Sequence, residues 1–166
     1  YCWKKESLLK LMSHYETNEK PNDELLDKLI ASKNCLQGAF YKRQLVFGLV
    51  DQRMHTSDKV DSAAIYSQTM FDVMNMRPTK GTNMIASFGH LAGGYDAQYY
   101  GYMMSLSYAQ ALFGKFEQDG FMEQSVGVDY RNKILSKGGS VDPNILLEDF
   151  LGAPPSNEPF LRSIGL

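Results

Sequence analysis

The sequence predicts an all-α protein, and three observations carry that reading. Apolar residues recur three and four positions apart along nearly the whole chain. No segment alternates apolar and polar residues cleanly over six positions. Residues that start and stop helices punctuate the periodic runs. Leu8, Leu11, Met12 and Tyr15 predict a first helix, broken in the Asn18–Asn22 region by Pro21. Asn22 is placed to cap a second helix that buries Leu25, Leu26, Leu29 and Ile30. A third is expected from about Cys35 to His55, anchored by Leu36, Phe40, Phe47, Val50 and Met54. The next starts near Ser57 or Asp58 and uses Ala63, Ala64, Met70, Phe71 and Met74, until Arg77-Pro78-Thr79-Lys80-Gly81 stops it. From Gly81 to Gly94 the pattern is that of a glycine-rich loop. A long helix is expected from about Tyr95 to Asp119, with Gly120 as its stop. A shorter one holds Val126, Tyr130 and Ile134 and ends at Gly138-Gly139. Asp142-Pro143 supplies an N-cap and first-turn pair for a last helix through Phe150 and Leu151, closed by Gly152, Pro154 and Pro155.

The 166 residues fit one domain with a sizeable core, and 43% apolar with 22% charged residues places the chain among globular proteins rather than disordered ones. Basic and acidic residues are mixed throughout and sum to a net charge of −2, so no basic surface for nucleic acid is expected. No run of about 18 apolar residues exists to span a membrane. Cys2 and Cys35 match neither a disulfide framework nor a zinc-finger spacing, and are read as reduced, partly buried thiols. The sequence begins with Tyr1 rather than Met, and a longer parent chain is the working expectation.

The stretch richest in chemistry is Gly89-His90-Leu91-Ala92-Gly93-Gly94-Tyr95-Asp96-Ala97-Gln98-Tyr99-Tyr100-Gly101-Tyr102. Glycines such as Gly93 and Gly94 let the backbone bend and hinge. On the expected helix Tyr95, Tyr99 and Tyr102 fall at i, i+4 and i+7, which puts them on one face. Three phenols beside the His90 imidazole would form a row of donors suited to a peptide carbonyl or to its oxyanion. A second reading stands beside it. The stripe continues as Leu106, Ala109, Phe113 and Phe116, and such a stripe is commonly a packing seam. A lone histidine such as His90 is more often a structural hydrogen-bonder than a catalyst, and His14 and His55 read as surface residues. No Walker loop, dinucleotide fingerprint or G-x-S-x-G elbow occurs. Carboxylates such as Asp96, Asp119 and Glu123 are read as solvated surface charge.

The segment from Phe88 to Tyr102 resembles the active-site loop of the thimet oligopeptidase and neurolysin family of zinc metallopeptidases. Ordered matches extend the resemblance over nearly the whole chain: Trp3 with Ser7-Leu8, Asp23 to Leu29, Arg43-Gln44, Val50-Asp51-Gln52 before His55-Thr56, Gly81 to Met84, Tyr130-Arg131-Asn132, Gly138-Gly139-Ser140, Phe160-Leu161 and Gly165-Leu166. The resemblance implies that residues 1–166 are the multi-helix C-terminal part of a zincin-type peptidase catalytic domain, with the glycine-rich loop ahead of a long helix. It implies a zinc-dependent endopeptidase acting on short peptides, cytoplasmic or mitochondrial, monomeric when full length, with no nucleic-acid or membrane partner. By position Tyr102 and His90 match catalytic residues of the family, with Tyr102 as oxyanion donor, while Tyr95, Tyr99, Gly93 and Gly94 match substrate-binding positions. No H-E-x-x-H occurs among the three histidines, so none of these residues is read as a metal ligand. The zinc ligands are expected upstream, and the chain alone is expected to be inactive. The alternative is an inert helical interaction module derived from such an enzyme.

Overall fold

The structure, a computed structural model, describes residues 1–120 and 122–166. Among them are eight α-helices and no strand: α1 (Lys5–Leu11), α2 (Asp23–Ser32), α3 (Gln37–His55), α4 (Ser62–Met74), α5 (Gly101–Asp119), α6 (Gln124–Tyr130), α7 (Pro143–Leu151) and α8 (Glu158–Ser163). Two short 3-10 turns, Ile85–Ser87 and Gly89–Ala92, precede α5. A π turn, Arg131–Leu135, continues α6. The all-α class read from periodicity is the class observed.

Caps set several boundaries where the sequence places them. The Asn22 side chain accepts the Leu25 N–H at 2.8 Å, and that of Asp142 accepts the Asn144 N–H at 2.8 Å. Pro143 occupies the first turn of α7, where its missing N–H costs no hydrogen bond. Gly120, at φ +101°, follows the last residue of α5, and Gly152, at φ +77°, ends α7.

Other boundaries differ from expectation. α1 stops at Leu11, ahead of Tyr15, because Met12 turns extended and the chain folds back on itself: the His14 N–H donates to the Glu19 carbonyl and Lys20 Nζ to the Met12 carbonyl. α3 begins at Gln37 rather than Cys35, since residues 33–36 form turns with Leu36 at φ +59°. α4 begins after Asp61, whose carboxylate accepts the Ala64 N–H at 3.0 Å, so Ser57 and Asp58 lie in the preceding loop. α8 is not among the helices expected from the sequence: it opens where Ser156 Oγ accepts the Glu158 N–H at 3.1 Å, with Pro159 in its first turn. Cys2 and Cys35 are free thiols but exposed, contrary to the partly buried placement expected; neither lies within a helix.

The chain divides into two compact units. One comprises Tyr1–Gln37, Leu112–Pro155 and Leu161–Leu166. Its core joins Phe116, Val126 and Phe150, with Tyr130 closing an aromatic triangle whose centroids stand 5.5–5.9 Å apart. Leu26 of α2 is fully buried in the same unit, α1 packs on α2, and Lys4 pairs with Glu117.

The other unit comprises Gly38–Ala111 and Ser156–Phe160. α3 lays Val46, Phe47 and Val50 into a core shared with Tyr66 of α4, Ile85, Leu91 and Tyr99. Phe47 is central: its ring meets Phe88 at 4.8 Å, meets Tyr99 edge-on at 5.5 Å, and lies under the Arg43 guanidinium at 4.8 Å. This core holds the glycine-rich loop against α3.

Candidate functional site

The loop from Gly89 to Tyr102 is shaped first by its glycines. A side chain at Gly93 would place a Cβ 2.5 Å from the Gly89 carbonyl oxygen, so the 3-10 turn closes only around a glycine there. Gly94 adopts φ +106°, a conformation that residues with side chains rarely take. Its N–H donates to Asp96 Oδ1 at 3.0 Å, and the Tyr95 N–H donates to the His90 carbonyl at 3.2 Å. The Asp96 carboxyl is held below its ordinary value by its own and the Gly94 backbone N–H, with a smaller contribution from the charge of His55. Both glycines thus build a defined turn.

The long helix starts at Gly101, six residues later than Tyr95. Tyr95 and Tyr99 therefore precede it, and the three tyrosines do not share a helix face at i, i+4 and i+7. Their rings meet nonetheless. Tyr95 stacks on Tyr102 with centroids 5.5 Å apart and planes 23° from parallel, and Tyr99 lies 4.9 Å from Tyr102. The His90 ring stands 5.6 Å from Tyr95 and 6.1 Å from both Tyr99 and Tyr102.

The four side chains differ in what they offer. His90, Tyr95 and Tyr102 are exposed. Tyr99 is buried, and its hydroxyl donates to Gln44 Oε1 at 3.0 Å, so its proton is already engaged within the protein. Loss of solvent around the Tyr99 phenol raises its pKa, partly offset by the positive charge of Arg43. The Tyr102 phenol is raised above its ordinary 10.0 by desolvation first, then by hydrogen bonding to Tyr95 and by the charges of Tyr95 and Tyr99. It therefore stays a neutral O–H donor through neutral pH.

The stripe beyond the tyrosines is not a continuous seam. Leu106 and Ala109 are exposed, and only Phe116, at the far end of α5, is buried. At the N-terminal end of the stripe Tyr95 and Tyr102 are exposed and Tyr99 is buried in one core, and the C-terminal end belongs to another.

Sequence reasoning left three residues without a role. Asp51, fully buried on α3, accepts the Ala97 N–H on Oδ1 and the Tyr99 N–H on Oδ2, each at 2.9 Å. Gln52 Nε2 donates to the Ala97 carbonyl at 2.8 Å. His55 is exposed, as expected, and the feature missed is that its Nδ1 lies 2.9 Å from Asp51 Oδ1. One signal was available: an acidic residue sits between Phe47 and Val50 on one side and Met54 on the other, with a histidine four residues on.

Among the described residues no three His, Cys, Asp or Glu side chains gather so as to hold a metal ion. His14 serves its own turn, where Nδ1 accepts the Glu16 and Thr17 N–H groups. The zinc that the resemblance implies does not fit the described residues of this chain.

The sequence profile of Peptidase family M3 matches residues 1–166. The chain belongs to that family. Among curated M3 relatives it is 39% identical to the thimet-like oligopeptidase of Dictyostelium discoideum, 36% to oligopeptidase A of Escherichia coli and 35% to saccharolysin of Saccharomyces cerevisiae, in each case over the whole of this chain. The chain spans about a quarter of the length of these M3 relatives.

Proposed function

We propose that this chain forms the substrate-gripping wall of an M3 oligopeptidase that hydrolyses peptide bonds in short peptides. The observation that carries the reading is the meeting of His90, Tyr95 and Tyr102, all exposed, on a loop whose turn requires Gly93 and Gly94. Three donors on one exposed patch suit a peptide carbonyl, which carries two lone pairs and gains negative charge when attacked. Tyr102 is the oxyanion donor in this reading, because it is neutral, exposed and set at the start of a rigid helix. His90 and Tyr95 bind the peptide backbone. Tyr99, its proton held by Gln44, supports Tyr102 from below.

Zinc, in this reading, depends on ligands that this sequence does not contain, and the 166-residue chain alone leaves peptides uncut. The reading as an inert interaction module is less well supported. α3 carries Leu45 and Leu49, one turn apart and both exposed, on a different face from the buried Val46, Phe47 and Val50. Uncovered apolar faces of that kind suit one wall of a larger protein.

Tyr102→Phe in the full-length protein tests the assignment. It should lower kcat on a short quenched-fluorescent peptide by about 10²–10³-fold with the fold intact. The loss should be equal at every pH below about 10, since a phenol whose pKa is raised keeps its proton until pH climbs past the ordinary value of 10.0. An unchanged kcat removes Tyr102 from the reaction.

A further inference from the structure

We propose that Asp51 is the positioning residue of this site: its buried carboxylate, by holding the Ala97 and Tyr99 N–H groups, sets where Tyr95, Tyr99 and Tyr102 present their rings. The inference rests on the peptidase reading for its catalytic consequence and on geometry for everything else.

Ala97 has φ +60°, in the left-handed region that alanine seldom enters. It is one of four non-glycine residues with positive φ among those described, and the others, Asn18, Leu36 and Asn75, lie outside this loop. A residue stays in such a conformation only where its surroundings over-determine it. Here two consecutive residues of α3 do so. Asp51 takes the Ala97 N–H and Gln52 takes the Ala97 carbonyl, so both backbone polar groups of the disfavoured residue are held from one helix. The second oxygen of Asp51 takes the Tyr99 N–H, two residues on. These bonds span 45 to 48 positions of sequence and fall between Tyr95 and Tyr102.

A buried carboxylate is an expensive way to fill space next to Val46, Phe47 and Val50. An apolar side chain of similar volume would bury more favourably, so a carboxylate here stabilises little that a hydrophobe could not. What a hydrophobe could not do is grip two amides at a fixed spacing. The grip keeps residues 95–100 out of helical geometry. α5 consequently begins at Gly101, and Tyr95 folds back to stack on Tyr102. His55 Nδ1, one turn on, bonds the Asp51 backbone carbonyl at 2.9 Å and lies 2.9 Å from Asp51 Oδ1.

The test uses the full-length protein with Asp51→Asn. The amide keeps the size but offers one acceptor oxygen, and its NH₂ opposes one of the two loop amides. Backbone exchange at Ala97 and Tyr99 should rise by about tenfold, as expected for a lost hydrogen bond to a charged group. On a short fluorogenic peptide kcat should fall by about 10²-fold, with KM changing much less, because the displaced donors act on the attacked carbonyl. Leu147→Ala, in the core of the other unit, supplies the comparison: it should lower Tm while leaving kcat unchanged. If Asp51→Asn does not fold, Gln52→Ala decides, because it removes only the bond to the Ala97 carbonyl and should lower kcat in the same direction. A wild-type enzyme that cleaves peptides while Asp51→Asn, or Gln52→Ala where Asp51→Asn does not fold, keeps kcat within about twofold overturns Asp51 as a positioning residue. A wild-type enzyme that cleaves no peptide overturns the peptidase reading instead, and the positioning role in catalysis falls with it.

Discussion

Gly94 shows how much of the site's shape lies in a missing side chain. Its φ of +106° is open to glycine and nearly closed to alanine, although no neighbour would obstruct a Cβ there. The cost of Gly94→Ala is therefore conformational rather than steric, about 1–3 kcal/mol. Urea unfolding should show it as a lower midpoint with an unchanged m-value. An unaltered midpoint would mean that the turn opens freely and that Gly94 is not held at that angle in solution. Gly93 differs, since the obstruction there is the Gly89 carbonyl oxygen, which belongs to the turn itself. Both glycines were legible as bendable positions, but which one needs an unusual angle and which one needs empty space is visible only in three dimensions. Asp51 was less legible still. A carboxylate on a helix reads by default as solvated charge, and nothing local to residues 47–55 says that two amides from a distant loop will arrive to satisfy it.

Among the helices, the boundaries read correctly are those fixed by bonds within one or two turns. Asn22 and Asp142 cap from their own side chains, and Gly120 and Gly152 end their helices by their own backbone angles. Asp142→Ala removes such a cap from α7, whose Leu146, Leu147 and Phe150 are buried. It should lower stability by about 1 kcal/mol in thermal or urea unfolding, with Asp142→Asn restoring most of the loss, because the amide oxygen can accept the same Asn144 N–H. If Asn and Ala lose equally, charge rather than capping is what Asp142 contributes. The start of α5 escaped the sequence for the opposite reason. Helical periodicity from Tyr95 onward is real, and apolar and aromatic residues do recur at the right spacing, yet Asp51 and Gln52 hold residue 97 in another conformation. Tertiary hydrogen bonds outweigh a helix preference that amounts to only a few tenths of a kcal/mol per residue. The tyrosines converge all the same, through a folded-back turn in place of a shared face, so the cluster was anticipated and its construction was not.

For the molecule as a whole, two compact units each own an aromatic core, yet large apolar side chains remain uncovered in both. Leu36, at 80% exposure, Leu135 and Ile145 stand open in one, and Phe40, Leu45 and Leu49 in the other. Single exposed leucines are ordinary, but paired ones on a helix with a separate buried face mark surface meant to be covered. The M3 relatives are about four times as long as this chain, which is room enough for polypeptide that covers such a face. The 166-residue chain expressed alone should accordingly bind a hydrophobic dye strongly and sediment as more than a monomer. Lys at both Leu45 and Leu49 should reduce dye binding without loss of helicity, because neither side chain lies in the core. The full-length protein should bind little dye, and there the same two substitutions should lower Tm by disturbing a covered face. A monodisperse, dye-negative chain would show instead that these leucines are tolerated surface, and the interaction-module reading would regain the ground that α3 now denies it.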